Sequence, residues 1–538
     1  MLSYSRGHDE PLIEKSTDRV FQETVRRFPE KDALIVRHQS ARLSYYDLDD
    51  AVQRTARGLV GLSIGQGDRI GVWSTNCVEW IMLHLASMRI GAVLVNVNPA
   101  YRAYELRYVL HKSRIKALFL WECDQRSNYR ALLEEARGGQ DVNLQHSIYI
   151  GGDSWSAMFK NGADFDAPEV DCDAVANIQY TSGTTGSPKG VLLTHRNLLN
   201  NGRVIAQGMN IVATDVICAP VPLYHCFGCV GGTMVALVTG AALLLPAATF
   251  DPGATLSAVH EFRATAIYGV PTMFIAQFEH AAFKDTDFSS LRTGVMAGAP
   301  CPVEVMKRVV SEMHCPEMTI MYGQTESSPV ITMSYVSDSL EKRVSTVGGA
   351  CENTEVKIVD RDTGETVPVG QAGELCTRGY LVMQGYDGEH EATSRAIDPD
   401  GWLHTGDLGV MRPDEYFHVT GRARDVIIRG GENIYPREVE EFLYTHPAIA
   451  AVEVFGLPDL RLGEIVAAWV RLKPAASATV DELRQFCKGQ IAHFKIPHSI
   501  RFVEEFPMTV TGKTQKYKMR EFEIQEQNLE AAANIQTA

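Results

Sequence analysis

The chain has 538 residues, 45% of them apolar, a formal net charge of −15 and a pI near 5.6. That length exceeds one ordinary domain and can fill a large core, while the acidic balance argues against broad nucleic-acid binding, which normally leaves a basic footprint. Eleven scattered cysteines are an odd count and a poor disulfide framework.

The N-terminal MLSYSRGHDEPLIEK lacks the apolar core of a secretory signal, and the C-terminal NIQTA is not a peroxisomal tripeptide, so a cytoplasmic location is expected. Short β-rich runs then alternate with helical patterns. DALIV at 32–36, RIGVW at 69–73, VLVNV at 93–97, KALFL at 116–120 and ATAIYGV at 264–270 read as strands, and YYDLDDAVQRTARGL and ALLEEAR carry helical apolar spacing. The alternation implies α/β layers with largely parallel sheets. From Val216 to Phe250 no Asp, Glu, Lys or Arg occurs, a length that could span a bilayer. Pro220, Pro222, Gly231, Gly232, Gly240 and Pro246 break it into a loop, a helix and the short strand ALLLP, so it reads as buried core without stable membrane insertion. Around 350–380, VKIVD and GELCTRG flank the turn signal DRDTGE and suggest a small β-rich module. After GRARDVIIRGGENIYP the pattern restarts: REVEEFLYTH helical, AAVEVFGL and EIVAAWVRL strand-like, VDELRQFCKGQI helical. The chain thus reads as α/β, with a large N-terminal domain over 1–423 built of layered α/β sheets plus the β-rich module. A small C-terminal α/β domain covers 424–538.

Between one such strand and a helix lies YTSGTTGSPKG, residues 180–190. Gly183, Gly186 and Gly190 let backbone N–H groups approach an anion, Thr181, Ser182, Thr184, Thr185 and Ser187 offer hydroxyls, and Lys189, after Pro188, adds a positive charge. It is not the common nucleotide loop, which needs Gly-Lys followed by Ser or Thr; TGKT at 511–514 has that ending, but Pro507 stands at its first glycine position. Cys226 and Cys229 form a CxxC beside His225, but no second pair completes a tetrahedral zinc site, so they read as small buried apolar residues.

The loop resembles the signature of the adenylate-forming (AMP-binding) superfamily. MAGAP at 296–300, MYGQTE at 321–326, WLHTGD at 402–407, GRARDVIIRGGENIYPREVE at 421–440 and TVTGKTQK at 509–516 match in the superfamily's order. NPAYRAYELRYVL and FKIP bring the resemblance nearest to medium-chain fatty acyl-CoA synthetases. It implies ATP and CoA as co-substrates with Mg²⁺, and attack by a carboxylate on the α-phosphorus of ATP. Cations must then offset the repulsion between two anions. By the resemblance, residues 181–189 hold the phosphates, Glu326 and Thr181 hold Mg²⁺, and Thr325 contacts the α-phosphate. Tyr322, with Gly323, stacks on adenine, the backbone of Gly298, Ala299 and Pro300 lines the base, and Asp407 accepts from both ribose hydroxyls. Arg422 reaches ribose or phosphate, and Lys513 bridges carboxylate and α-phosphate. Arg424 marks a hinge, where relatives usually carry Asp or Lys, and Gly430 and Gly431 line a pantetheine channel.

The acyl pocket implied by the same segments comprises His225, Phe227, Tyr268, Thr272, Met296, Gly298, Gly323, Val330 and Ile331, with His225 gating the pocket or meeting the carboxylate. PLYHCFGC has no Asp to pair with an α-amine, which disfavours an amino-acid substrate. The expected activity is ATP-dependent ligation of a small-molecule carboxylic acid, fatty or otherwise apolar, to CoA. An adenylating enzyme that loads a carrier protein and a non-catalytic binding relative are the alternatives; a homodimer is an open assembly.

Overall fold

The computed structural model describes residues 1–124, 126–138, 144–181, 188–299, 301–422, 425–429, 432–509, 513–529 and 533. Among them, two mixed sheets form the framework of the large unit. The first runs, edge to edge, through Gly349–Ala350, Val330–Met333, Glu317–Gly323, Thr293–Ala297, Ala266–Gly269, Val216–Cys218, Ala242–Leu245, Asp32–Val36 and Ala41–Ser44, and its six inner strands are parallel from Glu317–Gly323 to Asp32–Val36. The second orders Gly385–Tyr386, Lys189–Thr194, Val175–Thr181, Val93–Asn96, Arg69–Trp73, Ala117–Leu120 and His146–Tyr149. Five of these strands are parallel, and the Lys189–Thr194 strand turns back antiparallel on Val175–Thr181.

Local chemistry starts the helices where the sequence signals them. Ser44 accepts from the Asp47 N–H while the Asp47 carboxylate accepts from the Ser44 N–H, a reciprocal cap that opens Tyr45–Gly61. Thr194 and Asn197 cap His195–Gly208 in the same way. Asn201 on that helix then clasps both backbone groups of Val330, at 3.0 and 3.1 Å, which fixes the strand leaving the MYGQTE turn.

The uncharged stretch folds as the strand Val216–Cys218, a helical run from Cys226 to Thr239 with a π-helical section at Cys229–Met234, and the strand Ala242–Leu245. Gly240 closes the helix at φ +80°, with Phe28 Cδ2 2.3 Å from where a Cβ would sit. The run from Cys226 to Leu237 is entirely buried. No helix among the described residues is long and apolar enough to cross a membrane.

The β-rich module is an antiparallel sheet ordered Tyr4–Arg6, Thr354–Val359, Ala372–Gly379, Leu403–Met411 and Phe417–Arg422. After Arg422 a separate sheet begins at Ile427–Arg429, centred on the long hairpin Ile449–Asp459 and Gly463–Leu472. It has its own apolar clusters around Ile427, Val439, Leu443, Val454 and Leu483, and around Phe455, Trp469 and Met519. Arg471 pairs with Glu279 at 2.9 Å, and Arg437 Nη1 donates to Val419 O at 3.1 Å, joining this small unit to the rest. The expected hinge, Arg424, lies outside the described residues.

Candidate active site

The antiparallel pairing of Val175–Thr181 with Lys189–Thr194 puts Thr181 opposite Lys189 at the mouth of the Gly/Ser/Thr loop. Ser182, Gly183, Thr184, Thr185, Gly186 and Ser187 lie outside the described residues, as do Pro300, Gly430 and Gly431; Pro188 is partly buried. Thr181 Oγ1 donates to Glu326 Oε1 at 3.4 Å, and the Tyr386 hydroxyl donates to the same oxygen at 2.9 Å. Lys189 Nζ stands 4.9 Å from the Tyr386 ring centroid. Two backbone bonds hold this corner: Asp387 N to Gly190 O at 2.8 Å, and Met383 N to Glu326 O at 2.9 Å. Burial, reinforced by Glu326, pushes the Tyr386 phenol well up, so it remains a donor. A buried carboxylate beside a hydroxyl is a pair of hard oxygen donors, and that chemistry suits Mg²⁺.

Asp407 and Arg422 face each other across the hairpin of Leu403–Met411 and Phe417–Arg422. Asp407 Oδ2 accepts from the Tyr322 hydroxyl at 2.8 Å, and its Oδ1 lies 3.3 Å from Arg422 Nε. Burial raises the Asp407 carboxyl, with Arg422 and the Tyr322 bond acting against it. Gly323 follows Tyr322 where a Cβ would lie 1.8 Å from Pro329 O, so only glycine permits the chain to fold back there. Gly298 is exposed at φ +83°, and Ala299 beside it is half-buried.

Lys513 reaches this same cleft. Its Cε lies 3.7 Å from the point a Cβ on Gly298 would occupy. Burial and Arg422 lower its ammonium, while Cys226, Asp407 and Glu326 act in the opposite sense. Its turn is closed by Lys513 N to Thr509 Oγ1 at 3.0 Å and Thr509 N to Lys513 O at 2.7 Å. His225 is half-buried by surface, and desolvation, with Lys513 adding to it, pushes it down to about 3, so the ring is neutral at ordinary pH. Its Nδ1 accepts from the Phe227 N–H at 3.2 Å, which leaves the ring proton on Nε2. Cys226 Sγ stands 3.9 Å from Thr325 Oγ1, bringing the His225 segment against the MYGQTE turn.

The proposed acyl wall is only partly assembled. Phe227 stacks on Tyr268, centroids 5.7 Å apart at 15°, and both share an apolar cluster with Val330, Val295 and Ala297. Met296 and Ile331 fall in a different apolar cluster from Phe227. The cause is strand alternation: Val295 and Ala297, and Val330, point one way, and their neighbours point the other. Thr272 sits in the first turn of Pro271–Glu279, two residues from Val270, whose Cγ1 lies 3.3 Å from the same Gly298 Cβ point.

Sequence reasoning missed Tyr386, since nothing in QGYDG signals a partner sixty residues away. It also missed the ion cluster beneath the lysine turn. Lys516 Nζ lies 2.5 Å from Glu440 Oε1, 2.9 Å from Val454 O and 3.3 Å from Glu453 Oε2, and Thr514 Oγ1 donates to Glu453 at 2.7 Å. Burial opposes the charge, but Glu440 and Glu453 hold the Lys516 ammonium above its ordinary range.

The profile of the AMP-binding enzyme family matches residues 21–387, and that of the AMP-binding enzyme C-terminal domain matches residues 438–513. The chain is 46% identical to YngI of Bacillus subtilis (strain 168), a protein assigned as an acyl-CoA synthetase, over 97% of this chain and 99% of YngI. It is 39% identical to the mitochondrial medium-chain acyl-CoA ligase ACSF2 of Rattus norvegicus, over 97% of this chain and 89% of that protein. The fold superposes with a TM-score of 0.87 on the crystal structure of the anthranilate CoA ligase AuaEII in complex with anthranoyl-AMP, at 26% identity, covering 95% of this chain and 98% of that one.

Proposed function

The chain belongs to the AMP-binding enzyme family and is an AMP-forming acid–CoA ligase that uses ATP and CoA, and from that premise we propose that it activates a medium-chain fatty acid, or a related apolar acid, in a cleft closed by Lys513. The observation that carries the reading is the approach of Lys513, from the small unit, to a cleft whose other groups come from the large one. Domain limits at 1–423 and 424–538, with a hinge at Arg424, belong to the same proposal.

In the first half-reaction the acid's carboxylate attacks the α-phosphorus of ATP and pyrophosphate leaves. Thr181 and Glu326 would hold Mg²⁺, which neutralises charge on the phosphate oxygens. Glu326 is kept in place by the Tyr386 hydroxyl. Lys189 and the 182–187 loop take the departing phosphates, and Thr325 takes the α-phosphate. Tyr322 and the Gly298–Pro300 backbone flank adenine, while Asp407 and Arg422 take the ribose. Lys513 sets one positive charge between two anions as they meet. His225, being neutral, meets the carboxylate through Nε2–H as a hydrogen-bond donor. Its ring carries no counter-charge, in keeping with an apolar acid whose charge is met by Lys513.

In the second half-reaction the CoA thiolate attacks the acyl carbonyl and AMP departs. Lys513 withdraws with the small unit, and Gly430 and Gly431 leave width for pantetheine. The acyl chain packs against Phe227, Tyr268 and Val330. ACSF2 is named for medium-chain acids, which supports that length here. Cytoplasmic residence and a homodimer complete the proposal; cell fractionation and light scattering test them.

The experiment is a panel of acids from C4 to C16 and aryl acids, with and without CoA, read as pyrophosphate and acyl-CoA. A maximum at medium-chain acids with CoA-independent pyrophosphate release is expected. A maximum at aryl acids, or pyrophosphate only with CoA, overturns the reading.

A further inference from the structure

The β-rich module holds a second convergence of ligand-type side chains, on the strand that runs into Asp407. Cys376 and His404 are direct cross-strand partners on Ala372–Gly379 and Leu403–Met411, and Glu374, two residues before Cys376, shares its face. Cys376 Sγ lies 3.4 Å, and Glu374 Oε2 3.1 Å, from the same ring nitrogen, His404 Nδ1. The three ligand atoms all fall within 4.8 Å of one another.

A thiol and a carboxylate here face one and the same nitrogen of a histidine. In a catalytic relay the base would face the thiol with one nitrogen and the carboxylate with the other. Here both partners crowd Nδ1. Around a tetrahedral Zn²⁺, with Zn–S of about 2.3 Å and Zn–N or Zn–O of about 2.0–2.1 Å, the S···N edge is about 3.5 Å and the N···O edge about 3.3 Å. The observed edges are shorter by only a few tenths of an ångström or less.

The surroundings suit an ion as well. Glu374 Oε1 accepts from the Gly406 N–H at 2.9 Å, which pins the carboxylate and leaves Oε2 directed at the histidine. Asp398 Oδ2 lies 3.8 Å from His404 Nε2, on the far side of the ring, where a metal-bound histidine commonly donates its second N–H. Cys376 is fully buried beside Trp402 and Val359, so the thiol is shielded from bulk solvent, while Glu374 and His404 are partly exposed and leave a route of entry. Lys357, the cross-strand neighbour of Cys376 on its other side, lies over the Trp402 ring at 4.2 Å.

We propose that Glu374, Cys376 and His404 bind one divalent, borderline-soft ion of the Zn²⁺ class through Oε2, Sγ and Nδ1, with water in the fourth position. Binding releases the Cys376 thiol proton to solvent, and His404 ligates as the Nε2–H tautomer oriented by Asp398. The ion would clamp Ala372–Gly379 to Leu403–Met411, the strand that presents Asp407 three residues beyond His404.

The test uses the full-length chain and Co²⁺ as a spectroscopic probe, because thiolate ligation gives an intense ligand-to-metal absorption that oxygen and nitrogen ligands lack. Cys123 is exposed and Cys172 sits between Asp171 and Asp173, so both are first replaced by serine to silence competing thiols. One equivalent of Co²⁺ should develop the band, and one equivalent of Zn²⁺ should abolish it. Cys376→Ser should remove it, Glu374→Gln should weaken binding, and Asp398→Asn should weaken it by about 10–100-fold. Should Cys376→Ser fail to fold by circular dichroism, His404→Asn reads the same band. No band, or a band that survives Cys376→Ser or His404→Asn in a folded chain, overturns the proposal.

Discussion

On one wall of the cleft, Glu326, Asp407 and Tyr386 sit on strands and turns locked into the large unit's sheets. On the other, Lys513 rides in a turn whose fixed partners, Thr509 beside it and Thr514 and Lys516 just beyond, all belong to the small unit. The difference teaches a division of labour. In the proposed mechanism the groups assigned to the nucleotide share the large unit's sheets, whereas the charge assigned to the first half-reaction is anchored within the small unit. Among the described residues, the links that join that body to the large unit include an ion pair at Arg471–Glu279 and one bond from Arg437 to a backbone carbonyl.

The contrast breaks most visibly at Lys516. Lys516→Met leaves the buried Glu440 and the partly buried Glu453 without their cation; breaking a fully buried pair costs about 3–5 kcal/mol, and this partly exposed cluster should lose about 2–3 kcal/mol. Urea unfolding by circular dichroism should show it, and adding Glu440→Gln and Glu453→Gln should recover most of the loss. A change under about 1 kcal/mol would mean the lysine turn is not held from beneath.

The rigid wall is sharpened by Tyr386→Phe. Removing the hydroxyl bonded to Glu326 should raise the Mg²⁺ concentration for half-maximal adenylation by about 10–100-fold, as loss of an outer partner of a metal ligand does. Thioester formation from preformed adenylate should barely change.

A third probe is pH. Burial pushes His84, His195 and His225 down to about 3, 4 and 3 from an ordinary 6.5. Their folded values lie below the unfolded one, so as pH falls below 6.5 the unfolded chain binds protons that the folded chain refuses. Their contribution is complete above pH 6.5 and is lost on acidification, by about 1.4 kcal/mol per pH unit for each histidine, down to the folded values. His84→Leu should flatten the stability slope between pH 6.5 and 4 by one proton's worth. An unchanged slope would contradict a neutral buried His84.

The smallest effect belongs to the junction. Arg471→Ala should cost about 0–1 kcal/mol and leave both half-reactions within about twofold, because a partly exposed pair contributes little.

Much of this was legible in the sequence. β-branched runs at 32–36 and 69–73 became strands at those limits, and the restart after GRARDVIIRGG became a unit with its own core. The motifs single out Thr181, Glu326, Tyr322, Asp407, Arg422 and Lys513; in the fold Thr181 meets Glu326, Tyr322 and Arg422 meet Asp407, and Lys513 lies beside Gly298. What escaped depends on contacts that sequence does not encode locally. Tyr386 meets Glu326 because Gly385–Tyr386 pairs with Val191 and Leu192, a non-local edge contact. Met296 and Ile331 fall in another apolar cluster than Phe227 because a strand gives only alternate residues to either face, which motif membership alone does not reveal. The Lys516 cluster was hidden because Glu440, Glu453 and Lys516 are each ordinary surface residue types until folding brings them together.

The central claim is that Lys513 serves one half-reaction only, and Lys513→Ala tests it most directly. Pyrophosphate release from acid and ATP should be timed separately from acyl-CoA formation out of supplied acyl adenylate, in protein checked for its fold. Adenylation should fall by about 10²–10³, the usual loss for one transition-state charge contact, while thioester formation stays within a few-fold of the parent. Equal loss in both steps would contradict the account.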